Sequence, residues 1–199
     1  MFTVNRLTGR RRVLPNSLFA LLIVWLTLSV SVEARAQNDG ALLLFSDPEY
    51  EQCSLEDTAS QQHTVYVVHF DDMGVRGSEF GISQFEGEGL TYISESVPWA
   101  SIGSVPGGLS VLYGGDCLTG PVLVCSVVYS GSGTSPPCSY LKPRPSGLDR
   151  PAAIAINCLN EIILPLEGRL YINPDPSCPC EPVVPVEKAS WGRIKALYE

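Results

Sequence analysis

Two apolar stretches decide the fold: residues 63–70 (HTVYVVHF) and residues 122–129 (VLVCSVVY). Both are rich in β-branched and aromatic side chains, which favour extended backbone over helix. The second stretch is apolar at successive positions, so both of its faces are apolar, which is typical of a strand in the middle of a sheet. The pair predicts a β fold, with residues 122–129 as a central strand.

Shorter runs of the same character surround these two stretches, and Gly, Pro, Asn and Asp separate them. Gly and Pro together make up about a fifth of the chain after residue 36, which suits a fold with many turns and stays below the low-complexity range. About nine short strands with this punctuation predict an all-β, antiparallel β-sandwich over residues 37–176. The additional runs are residues 41–45, 78–85, 90–95, 108–113, 152–157, 161–164 and 169–172.

The first 36 residues have the layout of a secretory signal peptide. Arginines at positions 6 and 10–12 precede the uncharged run 18–30, and Ala34-Arg35-Ala36 supplies small residues for a cleavage site before Gln37. The alternative is an uncleaved anchor, because residues 13–32 carry no charge and are long enough to span a bilayer. We expect cleavage, a secreted or periplasmic protein, and no membrane contact afterwards.

The charge of the chain argues against a nucleic-acid partner. The whole sequence carries a formal charge of −8, and its first 36 residues contribute five arginines and one glutamate, so residues 37–199 carry −12. A nucleic-acid-binding protein normally presents a basic face. The two histidines of the chain leave little room for a metal centre built from several histidines.

All seven cysteines follow the predicted signal peptide, so disulfides are the expected state in an oxidising compartment. An odd number leaves one thiol free or paired between chains. We predict that Cys125 is the free thiol, since it lies in the apolar run 122–129, and that Cys138 pairs with Cys158 across a proline-rich excursion. Cys178 and Cys180 are too close in sequence to pair easily with each other, and a zinc site is the less favoured alternative.

The end of the chain, residues 177–199, predicts a Cys-Pro-Cys and Pro-rich linker followed by a short amphipathic helix. Ser190 is a candidate N-cap, and large apolar side chains recur after it at helical spacing. Such a short helix needs a surface to pack on. That surface is either its own sandwich or a protein partner, in which case the contact residues are Trp191, Ile194, Leu197 and Tyr198.

Three segments resemble uncharacterised secreted proteins of uncultured bacteria that end in a similar Trp-Gly-x-x-Lys-x-Leu-Tyr tail. They are residues 69–80 (HFDDMGVRGSEF), 117–124 (CLTGPVLV) and 177–199 (SCPCEPVVPVEKASWGRIKALYE). At the level of fold, the order V-x-G-x-E-F, Gly-Gly-Leu and a long apolar strand before Tyr-Ser-Gly is similar to cohesin-type β-sandwiches. The first resemblance implies no activity, and the second implies only a sandwich architecture.

The sequence favours binding over catalysis, because it contains no nucleophile elbow, no phosphate-binding loop and few candidate bases. Trp99 is a candidate sugar-stacking platform, although a core position is the more ordinary interpretation. Asp71 and Asp72 are weak candidates for a structural calcium site, and no other cofactor is expected. The main prediction is a secreted, non-enzymatic binding or assembly module. The alternative is a secreted hydrolase acting on glycans through a carboxylate pair such as Glu79 and Glu95.

Overall fold

The computed structural model of the chain describes residues 40–147 and 151–180, which form an all-β sandwich, as the sequence predicts. Within these ranges, no helix has the length and apolar character needed to cross a membrane. The predicted signal peptide, residues 1–36, and the predicted C-terminal helix lie outside the described residues. The strands are β1 (Ala41–Phe45), β2 (Ser54–Leu55), β3 (Gln62–Phe85), β4 (Leu90–Ser96), β5 (Ala100–Ser104), β6 (Gly108–Leu112), β7 (Leu118–Gly131), β8 (Ser139–Arg144), β9 (Ile154–Asn157), β10 (Ile162–Ile163), β11 (Leu166–Glu167) and β12 (Leu170–Ile172).

The 24-residue strand β3 organises the sandwich because it belongs to both layers. Its first part lies antiparallel between β1 and β7, which gives one layer the order β11-β1-β3-β7-β4. Its middle part lies between β9 and β6, which gives the other layer the order β10-β9-β3-β6-β5. Its last residues pair with β8, and β12 and β2 extend that sheet.

Most of these pairings are antiparallel, as predicted, but two short ones are parallel. β1 pairs with β11, and β12 pairs with β2. Parallel neighbours need a long connection between them, and here each pair joins an early part of the chain to a late part. The prediction of a purely antiparallel sandwich is corrected to this extent.

The core fills the space between the layers with side chains that alternate along each strand. Leu42 and Val67 come from one layer and Phe80 and Leu109 from the other, and all four are fully buried. Burying a side chain of this size contributes about 1.5–3 kcal/mol to folding. The same alternation turns every second residue of β6 outward, which matters for the site described below.

Residues 71–74 lie between two of the predicted strands, but they do not end β3, which continues through them. The Asp71 carboxylate accepts the backbone N–H groups of Met73 (2.7 Å) and Gly74 (3.0 Å), and the pairing with β7 shifts register between Asp71 and Val75. A bulge of this kind bends a strand without ending it. Residues 63–70 and 78–85, predicted as two strands, are therefore two parts of β3.

Three disulfides join six of the seven cysteines: Cys53–Cys180, Cys117–Cys158 and Cys138–Cys178. The predicted Cys138–Cys158 bridge is wrong. The fold brings the β9–β10 turn that carries Cys158 to the start of β7, where Cys117 lies, and it brings Cys138 to Cys178, near the end of the described residues. Cys178 and Cys180 bond to two different partners and not to each other, as their closeness in sequence predicts.

Cys125 is the unpaired cysteine of the described chain and lies fully buried in β7, at the position predicted for the free thiol. Burial raises the pKa of its thiol, and the carboxylate of Glu95 raises it further. Because the thiolate is the reactive form of cysteine, this side chain acts as a small core residue.

Candidate functional site

A line of side chains crosses the outer surface of the layer β10-β9-β3-β6-β5. Its members are cross-strand partners in successive pairs: Ile162 with Ile156, Ile156 with Gly77, Gly77 with Leu112, and Leu112 with Ala100. Directly paired residues project from the same face of a sheet. We call these five residues the apolar line.

The apolar line is open to solvent along most of its length. Leu112 is 58% exposed and Ile162 is 65% exposed, and Ile102, two residues along β5 from Ala100, is 82% exposed. Single apolar side chains on a surface are ordinary, but a contiguous set marks an interaction site more often than chance. The line thus has the character of a contact surface.

Gly77 keeps the centre of the apolar line flat. A Cβ atom at this position would lie 2.6 Å from the carbonyl oxygen of Val111 and 3.2 Å from Cδ2 of Leu112. Any larger residue would push the Leu112 side chain or the β6 backbone away. The glycine therefore leaves the Leu112 side chain room to lie across β3.

Polar residues border the apolar line. Glu79 faces outward two positions along β3 from Gly77, beside Ser110, and accepts a hydrogen bond from the Ser146 hydroxyl. At the other border, the guanidinium of Arg76 donates to the side-chain oxygen of Asn160 at 2.9 Å. An apolar centre with a polar rim is the common anatomy of a protein-binding surface.

Trp99 lies just before β5 and is held at the edge of the core. Its indole N–H donates to the carbonyl oxygen of Leu123 at 2.6 Å, and its ring meets Tyr113 edge to face at 5.5 Å. The side chain is half-buried and packs against the main core. These contacts place Trp99 apart from the apolar line and engage the indole N–H that an exposed platform would offer to a ligand.

His69, one of the two histidines, belongs to a hydrogen-bond network inside the core. His69 is fully buried, with Nδ1 at 3.0 Å from the Ser78 hydroxyl, which in turn lies 2.6 Å from the Tyr113 hydroxyl. Burial lowers the pKa of His69 to about 4. A neutral imidazole inside a closed core cannot reach a substrate, so this network is structural.

Of the two aspartates proposed as calcium ligands, only Asp71 is seen to hold backbone in place. One carboxylate oxygen of Asp71 is occupied by the two N–H groups already described, and Asp72 is exposed. Within the described ranges, the close group of three metal-ligating residue types is Cys138, Asp175 and Cys178, and its two cysteines form a disulfide. Calcium binding by Asp71 and Asp72 stays a prediction.

The two carboxylates of the hydrolase alternative face different sides of the sandwich. Glu79 lies on the outer surface of β3, opposite exposed Ser110. Glu95 of β4 pairs with the buried residue Val127 of β7. Its carboxylate accepts the backbone N–H of Val105 at 2.7 Å. A glycosidase needs two carboxylates across one cleft, and this arrangement gives that alternative no support.

The apolar line is not evident from the sequence alone. The closest indication in the sequence is the alternation over residues 108–113, which places Leu109, Val111 and Tyr113 on one face of a strand. The opposite face then contains Leu112, a large apolar residue at a position that is normally polar. Ile156 and Ile162 could be added only once the strand order was known. The predicted contact residues Trp191, Ile194, Leu197 and Tyr198 lie outside the described residues.

Comparison with known proteins gives structural neighbours and no family. No family model matches the chain, and no curated protein matches it. The sixth cohesin of Acetivibrio cellulolyticus scaffoldin B, solved in complex with a Cel5 dockerin, is 13% identical, covers 68% of this chain and 99% of its own, and gives a TM-score of 0.45.

Two further solved structures are similar to the same extent. A type II cohesin domain from the cellulosome of Acetivibrio cellulolyticus is 9% identical over 67% of this chain and 95% of its own, with a TM-score of 0.48. A non-cellulosomal cohesin from Archaeoglobus fulgidus is 10% identical over 67% and 90%, with a TM-score of 0.47. Likenesses at this level assign neither a partner nor an activity to this chain.

Proposed function

We propose that this chain is an extracytoplasmic, non-enzymatic β-sandwich module that binds a protein partner through the apolar line. The observation that carries the proposal is the row Ile162, Ile156, Leu112 and Ala100, with Ile102 beside it, on a sheet surface that nothing in the described chain covers. The three disulfides support the location, since such bonds persist in oxidising compartments.

The partner that fits this surface has an apolar strip flanked by basic side chains. Burying the apolar line needs complementary apolar area, which supplies most of the binding free energy at the centre of an interface. The chain after residue 36 carries a formal charge of −12, and opposite charge on the partner speeds encounter and excludes wrong partners. An acidic partner is therefore disfavoured.

The C-terminal segment is a second contact in this proposal. Trp191, Ile194, Leu197 and Tyr198 recur at helical spacing, and two basic residues, Arg193 and Lys195, lie among them. An amphipathic helix of this kind binds in an apolar groove of a partner. With the apolar line, it gives the protein two separate surfaces for assembly.

The test begins with the full chain, exported with its own N-terminal segment so that its disulfides form. A photo-crosslinking amino acid in place of Leu112 captures what contacts the apolar line in the producing cell, and the same amino acid in place of Met73, which is 70% exposed elsewhere on β3, is the matched control. A partner crosslinked only from position 112 is then purified for affinity measurements.

In the second stage, Ile102→Asp and Leu112→Asp are combined and compared with Met73→Asp. We expect the double variant to bind the purified partner at least roughly tenfold more weakly, while Met73→Asp changes affinity less than about twofold. Equal affinity of all three proteins would refute the apolar line as the binding surface. Release of sugar from envelope glycans that is lost in Glu79→Gln or Glu95→Gln would instead establish the hydrolase alternative.

A further inference from the structure

A cavity of about 320 Å³ lies along the edge of β1, where the chain passes from β11 to β12. β11 pairs with β1 only as far as Leu42, and the chain then turns away to pair with β8 as β12. Leu43, Leu44 and Phe45 of β1 line the cavity. Because adjacent side chains of a strand point to opposite faces, contact with all three residues places the cavity beside the strand edge. The space that β11 leaves there is large enough for a small ligand.

Covalent bonds hold the rim of this cavity in place. Cys53 and Cys178 both line it, and they form disulfides with Cys180 and Cys138, respectively. Tyr171 lines it as well, and its backbone N–H donates to the carbonyl oxygen of Cys53 at 2.9 Å. A cavity with such a rim keeps its shape without a ligand, which lowers the entropic cost of binding.

Arg169 gives the cavity wall a positive charge that the described protein does not neutralise. Its guanidinium lies 4.5 Å from the ring centroid of Tyr140, and Phe85 stacks on the same ring with the centroids 5.3 Å apart. Within the described ranges, no hydrogen bond or ion pair joins the guanidinium to another residue. Asp175, an acid near the rim, instead accepts the N–H and the hydroxyl of Ser177. Stacking orients the guanidinium and leaves its N–H groups available for an acceptor.

The other three basic side chains of the described residues all have polar partners. Lys142 forms an ion pair with Glu167 at 2.8 Å. Arg76 donates to a side-chain amide oxygen, and Arg144 donates to two backbone carbonyl oxygens. The chain after residue 36 carries a formal charge of −12, so acidic partners are plentiful in its composition. An arginine without one, beside a cavity, indicates an anionic ligand.

The lining of the cavity restricts this anion to a compact organic one. Leu43 and Phe45 cannot replace the water that an inorganic anion loses on burial, so they disfavour such an ion. A guanidinium binds a carboxylate through two parallel N–H···O bonds. At about 30 Å³ for each water, the cavity has the space of about ten waters, which a single aromatic ring with one carboxylate fits.

We propose that this cavity binds an aromatic carboxylate, with the carboxylate on Arg169 and the ring against Leu43 and Phe45. A rigid ring loses less conformational freedom on binding than a flexible chain of the same size. The ring of Tyr171 supplies an aromatic neighbour. This small-molecule site shares no residue with the apolar line and is independent of the function assigned to it.

The test is a titration of the full exported chain with benzoate, followed by nuclear magnetic resonance of labelled leucine methyl groups. We expect the Leu43 and Leu44 methyl resonances to shift saturably, with a dissociation constant of about 1 mM for a ligand of this size. Benzamide has nearly the same shape without the charge and should bind at least roughly tenfold more weakly. Glucuronate should also bind at least roughly tenfold more weakly, because the apolar lining leaves its hydroxyl groups without partners.

Two variants separate the proposed contact from the general charge of the protein. Arg169→Gln should weaken benzoate binding at least roughly tenfold, since it removes the paired N–H donors. Arg144→Gln removes the same charge from a side chain held outside the cavity by two carbonyl oxygens, and it should change the affinity by less than about twofold.

Four results would overturn the proposal. One is the absence of a saturable shift at Leu43 and Leu44 with benzoate up to about 20 mM, well above the expected dissociation constant. Equal binding of benzamide and benzoate would remove the role of the charge, and undiminished binding in Arg169→Gln would remove the role of the guanidinium. Tighter binding of glucuronate than of benzoate would replace the aromatic ligand by an acidic sugar.

Discussion

The two outer surfaces of the sandwich carry similar apolar side chains but present them differently. On the β1-β3-β7 side, Leu43, Phe45 and Val68 are at most 5% exposed and form a second apolar cluster with Tyr66 and Phe70 around them. On the β9-β3-β6 side, the apolar line remains open. An apolar residue on an outer surface thus indicates binding only where the chain itself does not cover it.

Aromatic rings cover the first surface. The ring of Phe45 lies 5.8 Å from that of Tyr50 and 6.1 Å from that of Phe70, and Tyr50 also meets Tyr66 at 6.5 Å. The Asp47 carboxylate holds the turn that brings Tyr50 back, because it accepts backbone N–H groups from the residues that follow the tyrosine. Nothing equivalent in the described chain lies over Leu112.

The largest expected difference between the two surfaces is in stability. Phe45→Ala should lower the free energy of unfolding by about 3–5 kcal/mol, since it leaves a hole among packed rings, whereas Leu112→Ala should change it by less than about 0.5 kcal/mol. Denaturant titration with the disulfides intact measures both. Equal losses would mean that the two surfaces are packed alike, and the comparison would fail.

The next effect concerns the core behind the covered surface and appears with pH. The pKa of His69 is about 4 in the folded chain against 6.5 for the free side chain, so the unfolded chain binds the proton more tightly. The stability due to this neutral imidazole is complete above pH 6.5 and is lost as pH falls toward 4, with a loss of about 2 kcal/mol by pH 5.

Unfolding measured between pH 7 and pH 4.5 checks this expectation against a matched variant. His69→Gln should flatten the pH dependence, and His63→Gln, a change at the other histidine of the same strand, should leave it in place. A slope that persists in His69→Gln would assign the acid sensitivity to other groups.

A smaller effect is expected at Cys125, inside the same core. Because burial raises the pKa of its thiol, iodoacetamide at pH 8 should leave the native protein unmodified and should label one cysteine per chain after unfolding without reductant. Intact-mass spectrometry distinguishes the two states. Rapid labelling of the native chain would show that the β4–β7 region opens.

The smallest expected effect on stability is that of Leu112→Asp, which should stay within about 0.5 kcal/mol of the unmodified chain. It sharpens the comparison because the same change at Leu43, on the covered surface, would bury a charge and should prevent folding. Circular dichroism and denaturant titration of the two variants give the contrast.

Much of the fold could be predicted because strands such as β1, β6 and β7 are local apolar runs. β5 (Ala100–Ser104) was missed because its sequence, ASIGS, has only one large apolar residue, and that residue points outward. β8 (Ser139–Arg144) was missed because Pro143 lies in it. The proline is tolerated because it lies beyond the last residue pair between β8 and β12, which is Leu141 with Leu170. At that point β8 has no paired strand on the β12 side, so a missing backbone N–H costs no hydrogen bond there.

The candidate site could not be predicted, since its residues become neighbours only through the strand order. Ile162 and Leu112 are 50 positions apart in sequence and are joined through Ile156 and Gly77. The disulfide partners were missed for the same reason, because spacing limits the possible pairings without choosing among them.

The Cys53–Cys180 bond has a mechanical consequence. A pull applied between the two ends of the sandwich passes from Cys53 directly to Cys180, 127 positions further along the chain, through the sulfur atoms, so the residues between them carry no tension. Only β1 and the turn after it, residues 40–52, stand in the path of the force, and their unravelling lengthens the molecule by about 45 Å at most. While the bond is oxidised, a module tethered at both ends therefore keeps its apolar line intact under load.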